Sequence, residues 1–207
     1  MRRKEPYDVA LAGQPLSKEQ GRICRKAADY RGARVEPQVI GTSDGWVRPA
    51  VVLDTNAVLD LYWFEEPALQ ALVAALEDGL LRWCATSAMR DELCHVMEEG
   101  ALANKSWDTG TASVFARAAR TRAAFDRQAH LLSPPSIVRA PRCSDPQDQM
   151  FIDLAVGTGA HWLFSRDKAV LKLSRKVLSL CGCKIVRPLD WTAVMQRERA
   201  APGRPFI

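Results

Sequence analysis

From residue 49 onward, short apolar runs alternate with stretches of helical periodicity, and this alternation restricts the fold more than any other feature of the chain. Strand-length apolar runs separated by helical patterns point to parallel strands joined by crossover helices. Strands are expected at residues 50–54, 81–85, 161–165 and 184–187, with helices filling the gaps. The expected class is α/β with a central parallel sheet, and no internal repeat is visible.

In such sheets the carboxyl ends of strands and the amino ends of the following helices share one edge. Four acids fall at positions of this kind. Asp54 closes Ala50-Val-Val-Leu53 and opens Asp54-Thr55-Asn56, where short polar side chains turn the backbone beyond the strand. The competing reading is a simple cap for a helix starting near Ala57. Glu92 sits in a helix whose buried stripe is Met89, Leu93, Val96 and Met97. At about 100° per residue it falls at the edge of that stripe, whereas Asp91 points away. Ser87 would be the N-cap of this helix. Asp148 belongs to Ser144-Asp-Pro-Gln-Asp-Gln-Met-Phe-Ile-Asp-Leu-Ala155. There Asp145 is expected at the N-cap, Pro146 at the first helical position and Asp148 at the third, projecting inward with Phe151 and Ala155 while Asp153 faces solvent. A capping-box role competes for Asp148. Asp167 follows the strand through Ser165-Arg166 and precedes Lys168-Ala-Val-Leu171, so it too can cap a helix.

Taken together, the four acids say more than any one of them. Two like charges at ~4 Å repel by about 4 kcal/mol at an effective dielectric of 20, so four bare carboxylates in one pocket would be strongly unfavourable. Helix amino termini relieve only part of that repulsion. Oxygen-only ligation suits Mg²⁺ or Mn²⁺, which polarise a phosphodiester, help deprotonate a water and steady the leaving oxygen.

The bulk properties permit this reading. No apolar stretch approaches the roughly 20 residues that span a bilayer, and the basic amino terminus lacks the apolar core of a signal peptide, so a cytoplasmic location without membrane contact is expected. The six cysteines (24, 84, 94, 143, 181 and 183) include no Cys-x-x-Cys pair and the three histidines show no ligand spacing, so reduced thiols and no zinc site are expected. The net charge of +5 is uneven. Residues 1–48 hold ten Lys and Arg against six Asp and Glu, leaving +4; the remaining residues hold nineteen against eighteen, leaving +1. Residues 1–48 read as a basic extension, flexible or loosely helical around Lys18 to Tyr30, followed by a domain over 49–207. A basic arm suits a polyanion, although a solvated tail explains the same charge.

Val51-Val-Leu-Asp-Thr-Asn56, the acidic helix with Glu92, Asp145-Pro-Gln-Asp-Gln-Met-Phe-Ile-Asp-Leu-Ala155 and Leu163-Phe-Ser-Arg-Asp-Lys168 resemble the successive motifs of PIN-domain nucleases, in particular the PilT N-terminus type and the VapC-like toxins of toxin–antitoxin pairs. The resemblance covers roughly residues 49–196 and departs in the extension. It implies a three-layer α/β/α domain around a parallel sheet, Mg²⁺- or Mn²⁺-dependent cleavage of RNA and inhibition by a cognate antitoxin. Asp54, Glu92, Asp148 and Asp167 match the family's acidic positions, with Asn56 and Ser165 at supporting polar ones.

Outside these motifs, Arg117, Arg120 and Arg127 project within about 80° of one another on a helical stretch from Ser113 to Leu132, apart from the arc of Val114, Ala118, Phe125 and Leu132. They form a candidate RNA-steering ridge, with a solvated helix face as the plain alternative. Trp63, Phe64, Trp83, Trp107, Trp162 and Trp191 form no stacking platform and suit core or partner contacts. Leu59-Asp-Leu-Tyr-Trp-Phe64 is dense enough to suggest a homodimer or antitoxin contact. The reading is therefore a metal-dependent endoribonuclease in which Asp54, Asp148 and Asp167 hold or orient the ion and Glu92 completes the pocket. Its rivals are a catalytically silent RNA- or partner-binding module and a DNA-directed nuclease.

Overall fold

The computed structural model describes residues 48–99, 111–136 and 140–200. The basic extension, apart from Arg48, lies outside the described residues, as do Cys24 and Trp107.

Five parallel strands form one sheet: β1 (Ala50–Leu53), β2 (Arg82–Ala85), β3 (His130–Leu131), β4 (Trp162–Phe164) and β5 (Lys184–Val186), in the order β3-β2-β1-β4-β5. Every residue of β1 is buried, as a central parallel strand covered on both faces requires. The register pairs Val51 with Trp83 on one side and with Trp162 on the other. The five pieces are tied by hydrogen bonds at their ends, including His161 N to Ala50 O at 2.7 Å and Leu132 N to Ala85 O at 2.8 Å.

Helices flank the sheet and complete the three-layer arrangement. They are α1 (Thr55–Val58), α2 (Gln70–Glu77), α3 (Ser87–Glu99), α4 (Thr111–Gln128), α5 (Gln149–Thr158), α6 (Lys168–Leu171), α7 (Ser174–Cys181) and α8 (Trp191–Ala200). Helix α5 packs on β1 and β4 and against α7. It stops at Gly159, which takes the left-handed conformation (φ 59°) and donates its N–H back to Val156 O. Helix α1 runs into a π-helical turn, Leu59–Trp63, that packs against α4. The wider turn buries Leu59, Leu61, Tyr62 and Trp63 and leaves Asp60 as its polar member.

Four strands stand where the sequence places them, and the fifth was not anticipated. The stretch 113–132 is not helical to its end: α4 stops at Gln128, and His130–Leu131 form β3. A two-residue strand carries too little periodicity to be seen, and its existence rests on the exposed flank of β2, which it pairs in parallel from Cys84 and Ala85. The aromatics behave as core. Trp63, Trp83, Trp162 and Trp191 are all buried, and Trp191 meets Trp162 edge-on with ring centroids 5.4 Å apart. The Leu59–Phe64 stretch therefore fills the chain's own interior, which corrects its reading as a dimer or antitoxin contact. Cys84, Cys94, Cys143, Cys181 and Cys183 are free thiols. Among the described residues no helix is long and apolar enough to cross a membrane.

Candidate active site

The strand order reverses direction between β1 and β4, and in open α/β sheets the carboxyl edge at such a point is where ligands sit. Asp54 stands at the end of β1 and Ser165 at the end of β4, stitched together by Asp54 N donating to Phe164 O at 3.0 Å. Asp54 is 2% exposed, and Oδ1 accepts from Ala57 N at 2.6 Å. It is therefore the N-cap of α1 as well as the most buried acid of the rim. Burial pushes its carboxyl from 3.8 up to about 7, against the pull of hydrogen bonds from the Ser165 hydroxyl and Ala57 N–H, and the charges of Asp148 and Asp60 push the same way.

Ser165 is fully buried and accepts from Asp167 N at 3.0 Å. Asp167 is in turn the N-cap of α6, accepting from Ala169 N at 2.5 Å. Both capping alternatives for Asp54 and Asp167 thus hold. A cap occupies one of a carboxylate's several acceptor positions, and at Asp54 the Ser165 hydroxyl takes a second.

Asp148 departs from its expected position. It occupies the N-cap of α5, in helical backbone conformation, and its side chain makes no capping bond. Asp145 closes a separate turn by accepting from Gln147 N at 2.9 Å, so Pro146 precedes the helix instead of opening it. Gln149 then ties this loop to the helix, accepting from Cys143 N at 2.7 Å and donating to Pro141 O and to Asp153 Oδ1. Asp153 is accordingly half-buried and bonded, not a free surface acid. With no cap to serve, the Asp148 carboxylate is available to the pocket. Burial first, then the charges of Asp167, Asp145 and Glu92, raise it from 3.8 to about 6.

Glu92 lies at the boundary of α3, whose expected stripe is buried at Met89, Leu93 and Met97 and half-buried at Val96. Thr55, directly after Asp54, donates its hydroxyl to Glu92 Oε1 at 3.0 Å and draws the helix to the rim. Partial burial raises the Glu92 carboxyl and the Thr55 bond lowers it; Asp145 adds like charge. The amino end of α3 is capped by Thr86, whose hydroxyl accepts from Met89 N at 3.4 Å, and Ser87 is simply its first residue. Thr86 is buried where Ser87 is exposed, which is why its hydroxyl and not that of Ser87 meets the helix end. Asn56 is exposed on α1.

Three participants escaped the sequence reading. Thr55 orients Glu92, Asp145 adds charge to the cluster, and Asp60 pairs with Arg166 at 3.2 Å beside it. Asp60 lies in the Leu59–Phe64 stretch, whose apolar and aromatic density drew attention away from its one acid. Arg166, between Ser165 and Asp167, sits within a motif that the acids dominated.

The three arginines of the candidate ridge are each engaged. Arg117 donates to Trp63 O at 2.9 Å, Arg120 pairs with Glu65 at 3.4 Å, and Arg127 approaches Glu77 at 3.9 Å. Arg120 and Arg127 remain more than half exposed.

Among the described residues no three His, Cys, Asp or Glu side chains are gathered closely enough to ligate one ion. The acids share a field and a rim without forming a finished ligand shell. Their chemistry fits a hard, hydrated divalent cation, which keeps several waters and binds few carboxylates directly.

Over residues 50–169, more than half of the chain, the sequence matches the family model described as PIN domain. No curated protein and no solved structure matches.

Proposed function

The chain belongs to the PIN-domain family, a nuclease fold, and on that premise we propose that it is a divalent-metal-dependent ribonuclease that hydrolyses RNA phosphodiesters. The observation that carries this reading is Asp54: a buried carboxylate at the reversal point of the sheet, under the charge of Asp148, with Ser165 beside it. Desolvated acids that repel one another want a cation, and Mg²⁺ or Mn²⁺ matches oxygen-only donors.

In this reading Asp54, Asp148 and Asp167 would hold or orient the ion, and Glu92 would position the attacking water. When bound, the ion lowers the pKa of water and polarises the phosphodiester. Thr55 fixes the Glu92 rotamer, Ser165 restrains Asp54, and the Asp167 backbone is pinned by Ser165 Oγ. Cations at the rim are needed to let a phosphate approach so much negative charge. Arg166 and Lys168 flank Asp167 in sequence, and the Arg117, Arg120 and Arg127 ridge would steer the strand from farther out. We also propose the finer biological reading, a toxin held in check by a cognate antitoxin in the cytoplasm. Its support is the motif resemblance.

The test is cleavage of a labelled RNA by purified protein. Activity should require Mg²⁺ or Mn²⁺ and vanish in Asp54→Asn while the circular dichroism spectrum is retained; equal, metal-independent cleavage by both would sink the enzyme. Calorimetric titration with Mn²⁺ separates the silent-module alternative, which need not bind the ion, and DNA competition separates a DNA-directed nuclease. For the toxin role, induced wild-type protein should arrest growth and Asp54→Asn should not.

A further inference from the structure

A cleft of about 620 Å³ is lined by Arg48 just before β1, Leu81 and Arg82 at the start of β2, and residues of the Arg127–Leu132 segment, with none of Asp54, Glu92, Asp148 and Asp167 in its lining. Its charge is opposite to that of the rim. Arg48, Arg82 and Arg127 face one acid, Glu77, which leaves +2 before His130 is counted. Glu77 is drawn toward Arg127 at 3.9 Å. Among the described residues, neither Arg48 nor Arg82 has a carboxylate partner.

Two donors in the lining are buried with nothing to bond. Arg82 Nε and Gln128 Nε2 are both out of contact with solvent and lack an acceptor. Gln128 is held in this pose because its Oε1 accepts from the Tyr62 hydroxyl at 2.6 Å, which leaves the amide nitrogen as the free end. A buried donor left unmet costs ~1–3 kcal/mol, and a small turn of either side chain would present its nitrogen to an acceptor in the cleft. Arg48 is also seated. A Cβ at Gly79, whose φ is +66°, would lie 3.1 Å from the Arg48 guanidinium, so the glycine both makes the turn and leaves space for this cation.

We propose that this cleft is a binding site for a phosphate group carried on a ligand of nucleotide size. Guanidinium forks match phosphate oxygens bidentately, and an excess of two positive charges with an amide donor exceeds what the two oxygens of a single carboxylate satisfy. The volume is several times that of a bare anion and falls in the range of small-ligand sites. Leu76, Leu81 and Leu132 offer apolar surface for the remainder of the ligand. The phosphate has two possible sources, a free mononucleotide or a nucleotide at the end of a strand. The site needs none of the rim acids, and only Arg127 is shared with the candidate RNA ridge.

The experiment is isothermal titration of the full-length chain in EDTA, with no divalent metal, using inorganic phosphate, adenosine 5′-monophosphate and a 5′-phosphorylated RNA tetramer. Binding of the monophosphate at least about fivefold tighter than inorganic phosphate assigns a free nucleotide. Tighter binding of the tetramer, lost when its 5′-phosphate is removed, assigns a strand end. In either case Arg82→Gln and Arg48→Gln should each weaken binding about fivefold or more, and Asp54→Asn should leave it unchanged. Arg48 is exposed, so its variant remains informative if Arg82→Gln fails to fold. No binding of any probe, or equal binding by the arginine variants, overturns the site. A cleavage assay on Arg48→Gln keeps the two ideas apart, because loss of the enzyme reading leaves these titrations intact.

Discussion

The acidic rim and the basic cleft belong to the same sheet and solve opposite electrostatic problems. At the rim, carboxylates are placed against the amino ends of α1 and α6, so that backbone N–H groups at Ala57 and Ala169 offset part of the charge. In the cleft, guanidinium groups gather with few acids and two donors stay unbonded. The rim acids have local partners and still repel one another; of the cleft cations Arg127 has Glu77, and Arg48 and Arg82 have no carboxylate partner among the described residues. The comparison teaches that backbone capping moderates a charged cluster without neutralising it. Asp54 accepts two hydrogen bonds and its carboxyl still rises to about 7.

The comparison can be broken most sharply at Asp54. Replacing it with Asn should lower metal-dependent cleavage by roughly 10²-fold or more, read as initial rates on a labelled RNA. The next largest effect is on stability. The folded-state pKa of Asp54 is raised above its ordinary 3.8, so the folded protein holds a proton that the unfolded chain releases. The Asp54 contribution to stability is then fully present at and below about pH 4 and is lost as pH rises toward 7, by up to about 4 kcal/mol. Asp148, raised to about 6, adds to the loss in the same window. Thermal unfolding in EDTA should show Asp54→Asn more stable than wild type at pH 8 and nearly equal near pH 3.5. A flat wild-type profile from pH 4 to 8 would contradict the burial argument.

A smaller effect is expected at Thr55. Thr55→Val keeps shape and removes the donor to Glu92, which should cost ~1 kcal/mol of stability and lower cleavage less than tenfold. Smallest is the arginine ridge. Changing Arg117, Arg120 and Arg127 together to Ala should reduce the slope of log affinity against log salt for RNA by up to about 2, at ~0.7 per phosphate contact on a single strand. An unaltered slope would leave these side chains with only the partners they have in Trp63, Glu65 and Glu77.

Much of this was legible in the chain. The apolar runs located four strands, the stripe Met89, Leu93 and Met97 turned Glu92 to the boundary, and the strand-end motifs placed Asp54, Ser165 and Asp167 together. Local rules failed where two local solutions compete. Asp145 and Asp148 both suit a cap, and the bonds from Gln149 to the loop 141–143 decide where α5 begins. Thr86 and Ser87 both suit a cap, and burial selects the threonine. The partners of the ridge arginines come from Trp63, Glu65 and Glu77, far away along the chain.

Periodicity and strand-end chemistry are short-range properties, so order along the chain sufficed for the α/β class and for an acidic edge. The fifth strand, the Thr55–Glu92 bond, the Asp60–Arg166 pair and the basic cleft arise between segments dozens to more than 100 residues apart in the chain, or from a strand too short to have a pattern. Nothing in the covalent sequence ranks such encounters. Packing does, because it determines which polar groups lose water, and only then does a carboxylate shift its proton affinity or a guanidinium lack an acceptor.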